Sequence, residues 1–150
     1  MFESPCSLLT HPSPQLRLCA LTRSARSMLA CVNRLTITAL VLNGCGINSV
    51  QIGQPIGVIL TNGYQAWTRA RMLPLSLVRI TALGCAFANP LEGCLSLSKV
   101  FRRTLRHKLT VIIYINIANA RVRAFKTQGL LATCCQHELD HNNGSLIIDA

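Results

Sequence analysis

Apolar residues along this chain change their spacing several times, and each change predicts an element. "KLTVIIYINI" at 108–117 is dense in β-branched residues and reads as the clearest strand. A turn near Asn119 and a second short strand, "RVRAF" at 121–125, complete a hairpin. The period then changes: apolar positions in "TQGLLATCCQHELDHNN" (127–143) recur at helical spacing, with Thr127 as N-cap and Gly144 as the stop. "PIGVILT" at 55–61 reads as a strand ended by "NG", and "LIID" at 146–149 as a closing strand. Residues 16–42 carry helical spacing in places, although "LTITALVL" is β-branched. "NGCG" at 43–46 is turn chemistry. Residues 1–14 hold three prolines and read as irregular, and 64–90 give no clear period before the turn signal "NP". Strands first and one helix packed among them predict an α+β fold: small antiparallel sheets around a central helix, in one domain over 1–150.

Composition narrows this picture. Clean apolar runs, such as "ALVL" at 39–42, are far too short to span a bilayer. The basic, Ser-containing N-terminus has no continuous apolar stretch, so no secretory signal is read; its bias suits a transit peptide but runs through the whole chain. Eight cysteines without paired spacing point to a reducing compartment, with most of them serving as small buried apolar residues. The formal charge of +10 comes from a shortage of acids: fifteen Lys and Arg are ordinary, five Asp and Glu are few. Such a charge favours contact with a polyanion such as RNA, without implying that a sequence is read. The cations are scattered apart from "KVFRRTLRHK" at 99–108, whose single Phe101 makes a poor stacking platform. The five acids are Glu3, Glu92, Glu138, Asp140 and Asp149.

Two of those acids lie in "CCQHELDHNNG" at 134–144. On a helix, His137 and His141 share one face and offer two imidazoles to one metal ion, while Glu138 can reach metal-bound water. This is the HExxH arrangement of zinc hydrolases, and chance would produce it in such a composition roughly three times in a thousand. A catalytic metal needs a third protein ligand and an open position. HExxH proteases take that ligand from downstream, but only nine residues follow His141, with Asp149 the sole candidate among them. The ligand is therefore expected upstream, where His11, His107 and the cysteines compete.

"GCGINSVQIG" (44–53), "EGCLS" (92–96) and "QHELDH" (136–141) resemble, in order, the three motifs of the peptide deformylase family: GxGxAAxQ, EGCLS and QHExDH. Weaker echoes, "HPSPQLR" at 11–17 and "NGSLIID" at 143–149, extend the resemblance over nearly the whole chain. It implies that Cys94, His137 and His141 bind one divalent ion: ferrous iron in the cell, with zinc, nickel or cobalt accepted. It implies Glu138 as general base and then general acid, and the Gln51 amide with the Leu95 backbone N–H as oxyanion donors. It implies a methionine slot from Cys45, Gly46, Leu130, Thr133 and Cys134. The substrate would be the N-formylmethionyl end of a nascent peptide. A monomer in a bacterial-type cytoplasm or an organelle is expected, meeting the ribosome transiently through charge and no membrane. Asn48 and Ser49 replace the family's alanine pair, and if buried each needs a partner or costs ~1–3 kcal/mol. Ser98 stands where the family has proline, and the short step from "NP" to "EGCLS" predicts a shortened or missing strand or hairpin. The rival readings are an HExxH metalloprotease and a non-catalytic deformylase-like protein held to ribosomes or RNA by its charge.

Overall fold

The structure, a computed structural model, describes residues 24–62 and 72–149. The irregular reading of 1–14, the first residues of the 16–42 helix, Gly63 and His11 lie outside the described residues. The first helix, α1 (Ala25–Val41), starts on Ser24, whose hydroxyl accepts a hydrogen bond from the Ser27 N–H. It runs through "LTITALVL" as far as Val41, with Leu42 as its C-cap, because Met28, Cys31, Leu35 and Ala39 fall on one face and are buried there. The Thr36 and Thr38 hydroxyls bond back to the carbonyls of Val32 and Arg34, which quiets two β-branched positions inside the helix.

Nine strands follow among the described residues: β1 (Gly46–Asn48), β2 (Val58–Asn62), β3 (Met72–Ala82), β4 (Phe87–Ala88), β5 (Leu91–Cys94), β6 (Leu97–Arg103), β7 (Arg106–His107), β8 (Leu109–Ile115) and β9 (Val122–Gln128). A 3-10 turn, Ser49–Ile52, follows β1, and the second helix, α2 (Gly129–Asn142), follows β9. The main sheet has the order β1-β2-β3-β8-β9 and is antiparallel throughout. Two small pairs, β4 with β7 and β5 with β6, complete it. This is the α+β fold that the sequence predicts.

The reason "PIGVILT" shows no alternation is that β2 is covered on both faces. Val58 and Leu60 join the α1 cluster with Ile47 and Ile56, while Ile59 turns the other way to Leu75, Ile112 and Cys135 of α2. The α2 helix thus lies against the main sheet with its polar motif turned inward: Gln136, Glu138 and His141 are all buried.

Two local expectations are corrected. Thr127 is not a helix cap. It sits in β9 opposite Thr110, Gln128 opposite Leu109, and the helix starts at Gly129, whose φ of 65° turns the chain out of the strand. Pairing to β8 outcompeted capping. "LIID" is a turn rather than a strand: the Asp149 carboxylate accepts from the Leu146 N–H at 2.8 Å, and the Asp149 N–H donates to the Leu146 carbonyl at 2.9 Å. Gly144 does follow the end of α2 with positive φ, as predicted. Finally, residues 72–82, which carry no clear period, form the longest described strand, because β2 and β8 supply partners on both edges.

Candidate metal centre

Three segments far apart in sequence meet at one end of α2. Helical geometry places His137 and His141 one turn apart, with ring centroids 5.1 Å from each other. The β5–β6 hairpin carries Cys94 to them, its Sγ 3.3 Å from His141 Nε2. One ligand atom from each of Cys94, His137 and His141 lies within 4.8 Å of the other two, the only such group of three among the described residues. The choice left open by the sequence is thereby narrowed. The His107 ring stacks beside Phe87 at 4.7 Å instead, and Cys45 and Cys85 are exposed.

Behind the His137 ring lies a second layer that the sequence did not reveal. Glu92, two residues before Cys94, is buried and sits 2.9 Å from His137 Nδ1. Its two oxygens also accept from Arg106 Nε at 2.8 Å and Nη2 at 2.9 Å, and Arg106 Nη1 donates to Asp140. Arg106 is 6% exposed and belongs to this network, which sets it apart from the other cations of the 99–108 run. Burial alone would raise Glu92, but the bonds from Arg106 and His137 outweigh it and hold the carboxyl below its ordinary value. Gln136 closes the layer, its amide bridging the N–H and carbonyl of His107.

Gln51 approaches from the 3-10 turn. Its Nε2 donates to Ser96 Oγ at 2.8 Å and lies 3.9 Å from Cys94 Sγ, while its Oε1 accepts from the Asn48 N–H at 2.7 Å. Asn48 and Ser49 are fully buried, and both are satisfied. Asn48 Nδ2 donates to the Glu138 carbonyl, its Oδ1 accepts from Val50 N–H, and Ser49 Oγ accepts from Val58 N–H. The polar pair therefore escapes the cost of an unpaired buried group. Glycines let the segments close: a Cβ on Gly46 would lie 2.5 Å from Cys134 Sγ and 2.7 Å from Glu138 Oε1, and one on Gly44 would lie 2.7 Å from Leu95 Cδ1. Of the expected methionine slot, Gly46 and Cys134 thus meet beside Glu138. Thr133 is half-buried, Cys45 is exposed and Leu130 is 55% exposed on the first turn of α2.

The donor chemistry fits a divalent ion. A soft thiolate with two imidazoles suits iron, zinc, cobalt or nickel. Burial would raise the Cys94 thiol, yet the His137 and His141 bonds outweigh it and bring it to about 6. Burial would lower His137, but its bonds to Cys94 and Glu92 push it up to about 10. Glu138 is 3% exposed, its Oε2 has no hydrogen-bond partner, and burial pushes its carboxyl up to about 7. A carboxyl kept near neutrality and without a partner is free to exchange protons with a bound molecule.

Comparison with known proteins identifies the family. A family model described as Polypeptide deformylase matches residues 5–150. A peptide deformylase of Nitrosococcus oceani is 30% identical over 148 residues, covering 95% of this chain and 84% of that protein. One from Rhodopseudomonas palustris is 28% identical over 148 residues, covering 95% and 83%. Among solved structures, a class I type b peptide deformylase from Acinetobacter baumannii superposes with a TM-score of 0.80 at 22% identity, covering 97% of this chain and 96% of that one. The peptide deformylase of Ehrlichia chaffeensis gives 0.78 at 25% identity, covering 97% and 87%.

Proposed function

Because the chain belongs to the polypeptide deformylase family, we propose that it removes the N-formyl group from the initiator methionine of newly made polypeptides. The observation that carries the reading is the convergence of Cys94, His137 and His141 beside the buried carboxyl of Glu138, whose Oε2 has no hydrogen-bond partner.

In this reading Cys94, His137 and His141 hold one divalent ion, ferrous iron in the cell, with zinc, nickel or cobalt as substitutes. When bound, such an ion supplies Lewis acidity that makes water nucleophilic at neutral pH. Glu138 takes a proton from the attacking water at its carboxylate and returns it to the leaving amine, so one water and one formamide give formate and a free amine. Its elevated pKa, about 7, suits a group that must both accept and donate. The Gln51 Nε2 and the Leu95 backbone N–H donate to the formyl oxygen as negative charge builds there. Cys45, Gly46, Leu130, Thr133 and Cys134 border the methionine side chain.

The charge distribution supports a polyanionic neighbour. Every described Lys and Arg except Arg106 is exposed. Glu92 and Glu138 are buried, Asp140 is paired with Arg106 and Asp149 is held by the Leu146 N–H. The exposed charge among the described residues is therefore mostly cationic, which would draw the protein transiently to ribosomal RNA, as a monomer in a bacterial-type cytoplasm. No helix among the described residues is long and apolar enough to cross a membrane.

The deciding experiment measures bound metal and formate release from a formyl-methionyl peptide on one preparation. Stoichiometric metal with formate release that stops on chelation is expected. Metal binding without formate release would overturn the enzymatic reading.

A further inference from the structure

Asn48 occupies a place that is at once local and long-range. It is fully buried in the link between β1 and the 3-10 turn. Its N–H donates to Gln51 Oε1 at 2.7 Å, and its Oδ1 accepts from the Val50 N–H at 3.1 Å. These two bonds form a reciprocal cap, and they need only a side-chain acceptor at position 48. The third bond has a different purpose. Asn48 Nδ2 donates across 90 residues of sequence to the main-chain carbonyl of Glu138. A helix carbonyl at this point already has its own ladder, so the bond is not required to satisfy α2. It fixes where the Glu138 turn lies relative to the Gln51 turn.

We propose that Asn48 is a positioning residue for the reaction, clamping the Gln51 amide and the backbone of Glu138 into one fixed relation; this rests on the deformylase reading above. Gln51 is held at one end by the backbone N–H of Asn48 and at the other by Ser96 Oγ at 2.8 Å, so its amide has one orientation within the turn, and the Asn48 side chain ties that turn to the Glu138 backbone. The oxyanion donor and the proton carrier come from different elements, one on the edge of the main sheet and one on α2. A displacement between them well below the length of a bond to substrate lowers turnover more than binding, because both groups act on the reacting atoms.

Ser49 supplies the control. It is as deeply buried, but its hydroxyl accepts only from the Val58 N–H, in the β2 strand. Asn48→Ala is expected to lower kcat about 10–100-fold with KM changed less than about threefold, while Ser49→Ala loses a similar amount of thermal stability and keeps kcat. A second readout does not depend on turnover: in the metal-free, 15N-labelled protein, Asn48→Ala removes the donor to the Glu138 carbonyl but keeps the backbone N–H that holds Gln51 Oε1. The backbone amide signals of Glu138 and Leu139 should therefore shift and exchange faster in Asn48→Ala, and stay unchanged in Ser49→Ala. If Asn48→Ala does not fold, Asn48→Ser takes its place, since a hydroxyl keeps the acceptor for Val50 but is too short to reach Glu138. Unchanged Glu138 and Leu139 amide signals in Asn48→Ala, a kcat within twofold of the parent, or an equal kcat loss in Ser49→Ala would each overturn the proposal. A parent protein that releases no formate would refute the deformylase reading instead, and the amide signals would still decide the clamp.

Discussion

Replacing Glu92 tests whether the layer behind the metal ligands matters as much as the ligands. The carboxylate is 7% exposed and supplies two of the three carboxylate contacts of Arg106, at 2.8 and 2.9 Å. Glu92→Ala would leave a guanidinium that is 6% exposed with Asp140 as its remaining carboxylate, and that side chain is 39% exposed. Removing one partner of a buried ion pair costs about 3–5 kcal/mol, mostly the penalty of the stranded charge. Against a whole-domain stability of about 5–15 kcal/mol, that is roughly a fifth or more of what holds the fold. Glu92→Gln keeps the volume and one acceptor, so about 1–3 kcal/mol is expected there. Both changes also release His137 Nδ1, and loss of an outer carboxylate weakens metal binding about 10–100-fold. Urea unfolding and competition with a chelator read the two effects separately. The double variant Glu92→Ala, Arg106→Ala should lose less than the two single losses added, because the stranded cation leaves with its partner. A Glu92→Ala protein within about 1 kcal/mol of the parent, with unchanged metal retention, would refute this reasoning.

Cys94→Ala should abolish tight metal binding while Cys85→Ala, an exposed thiol outside the cluster, leaves it nearly intact; equal retention in both, read by elemental analysis, would end the ligand assignment. Gly46→Ala places a methyl 2.5 Å from Cys134 Sγ and 2.7 Å from Glu138 Oε1, so it should cost about 1–3 kcal/mol and lower kcat. Adding Cys134→Ala should recover stability but not turnover, because the Glu138 contact remains; recovery of both in thermal melts and kinetics would contradict the geometry. Co-sedimentation with ribosomes should be strong at low salt and vanish by a few hundred millimolar, since phosphate contacts weaken through counterion release. Substituting Lys99, Arg102 and Lys108 should weaken it, whereas binding that ignores salt would make the charge irrelevant.

Much of the chemistry was readable in the sequence because it is local. His137, Glu138 and His141 acquire their relation from the helical repeat alone, and "EGCLS" and "GCGINSVQIG" are short motifs whose order survives in the linear chain. The β8–β9 hairpin and the α1 face were readable for the same reason: side-chain period and a nearby turn decide them. What remained illegible depends on partners distant in sequence. Residues 72–82 became a strand only because β2 and β8 border them, and Thr127 was drawn from a helix cap into β9 by its pairing to β8. Arg106 looked like one more surface cation in "KVFRRTLRHK"; the fold buried it between Glu92 and Asp140, 14 and 34 residues away. Asn48 and Ser49 looked like unpaired polar intrusions until the tertiary structure supplied the Glu138 carbonyl and the Val58 N–H. Residue type and spacing determine what a group can do within a turn of helix or strand. Which buried charge or amide finds its complement is settled only when the whole chain has packed, because burial turns each such choice into several kcal/mol.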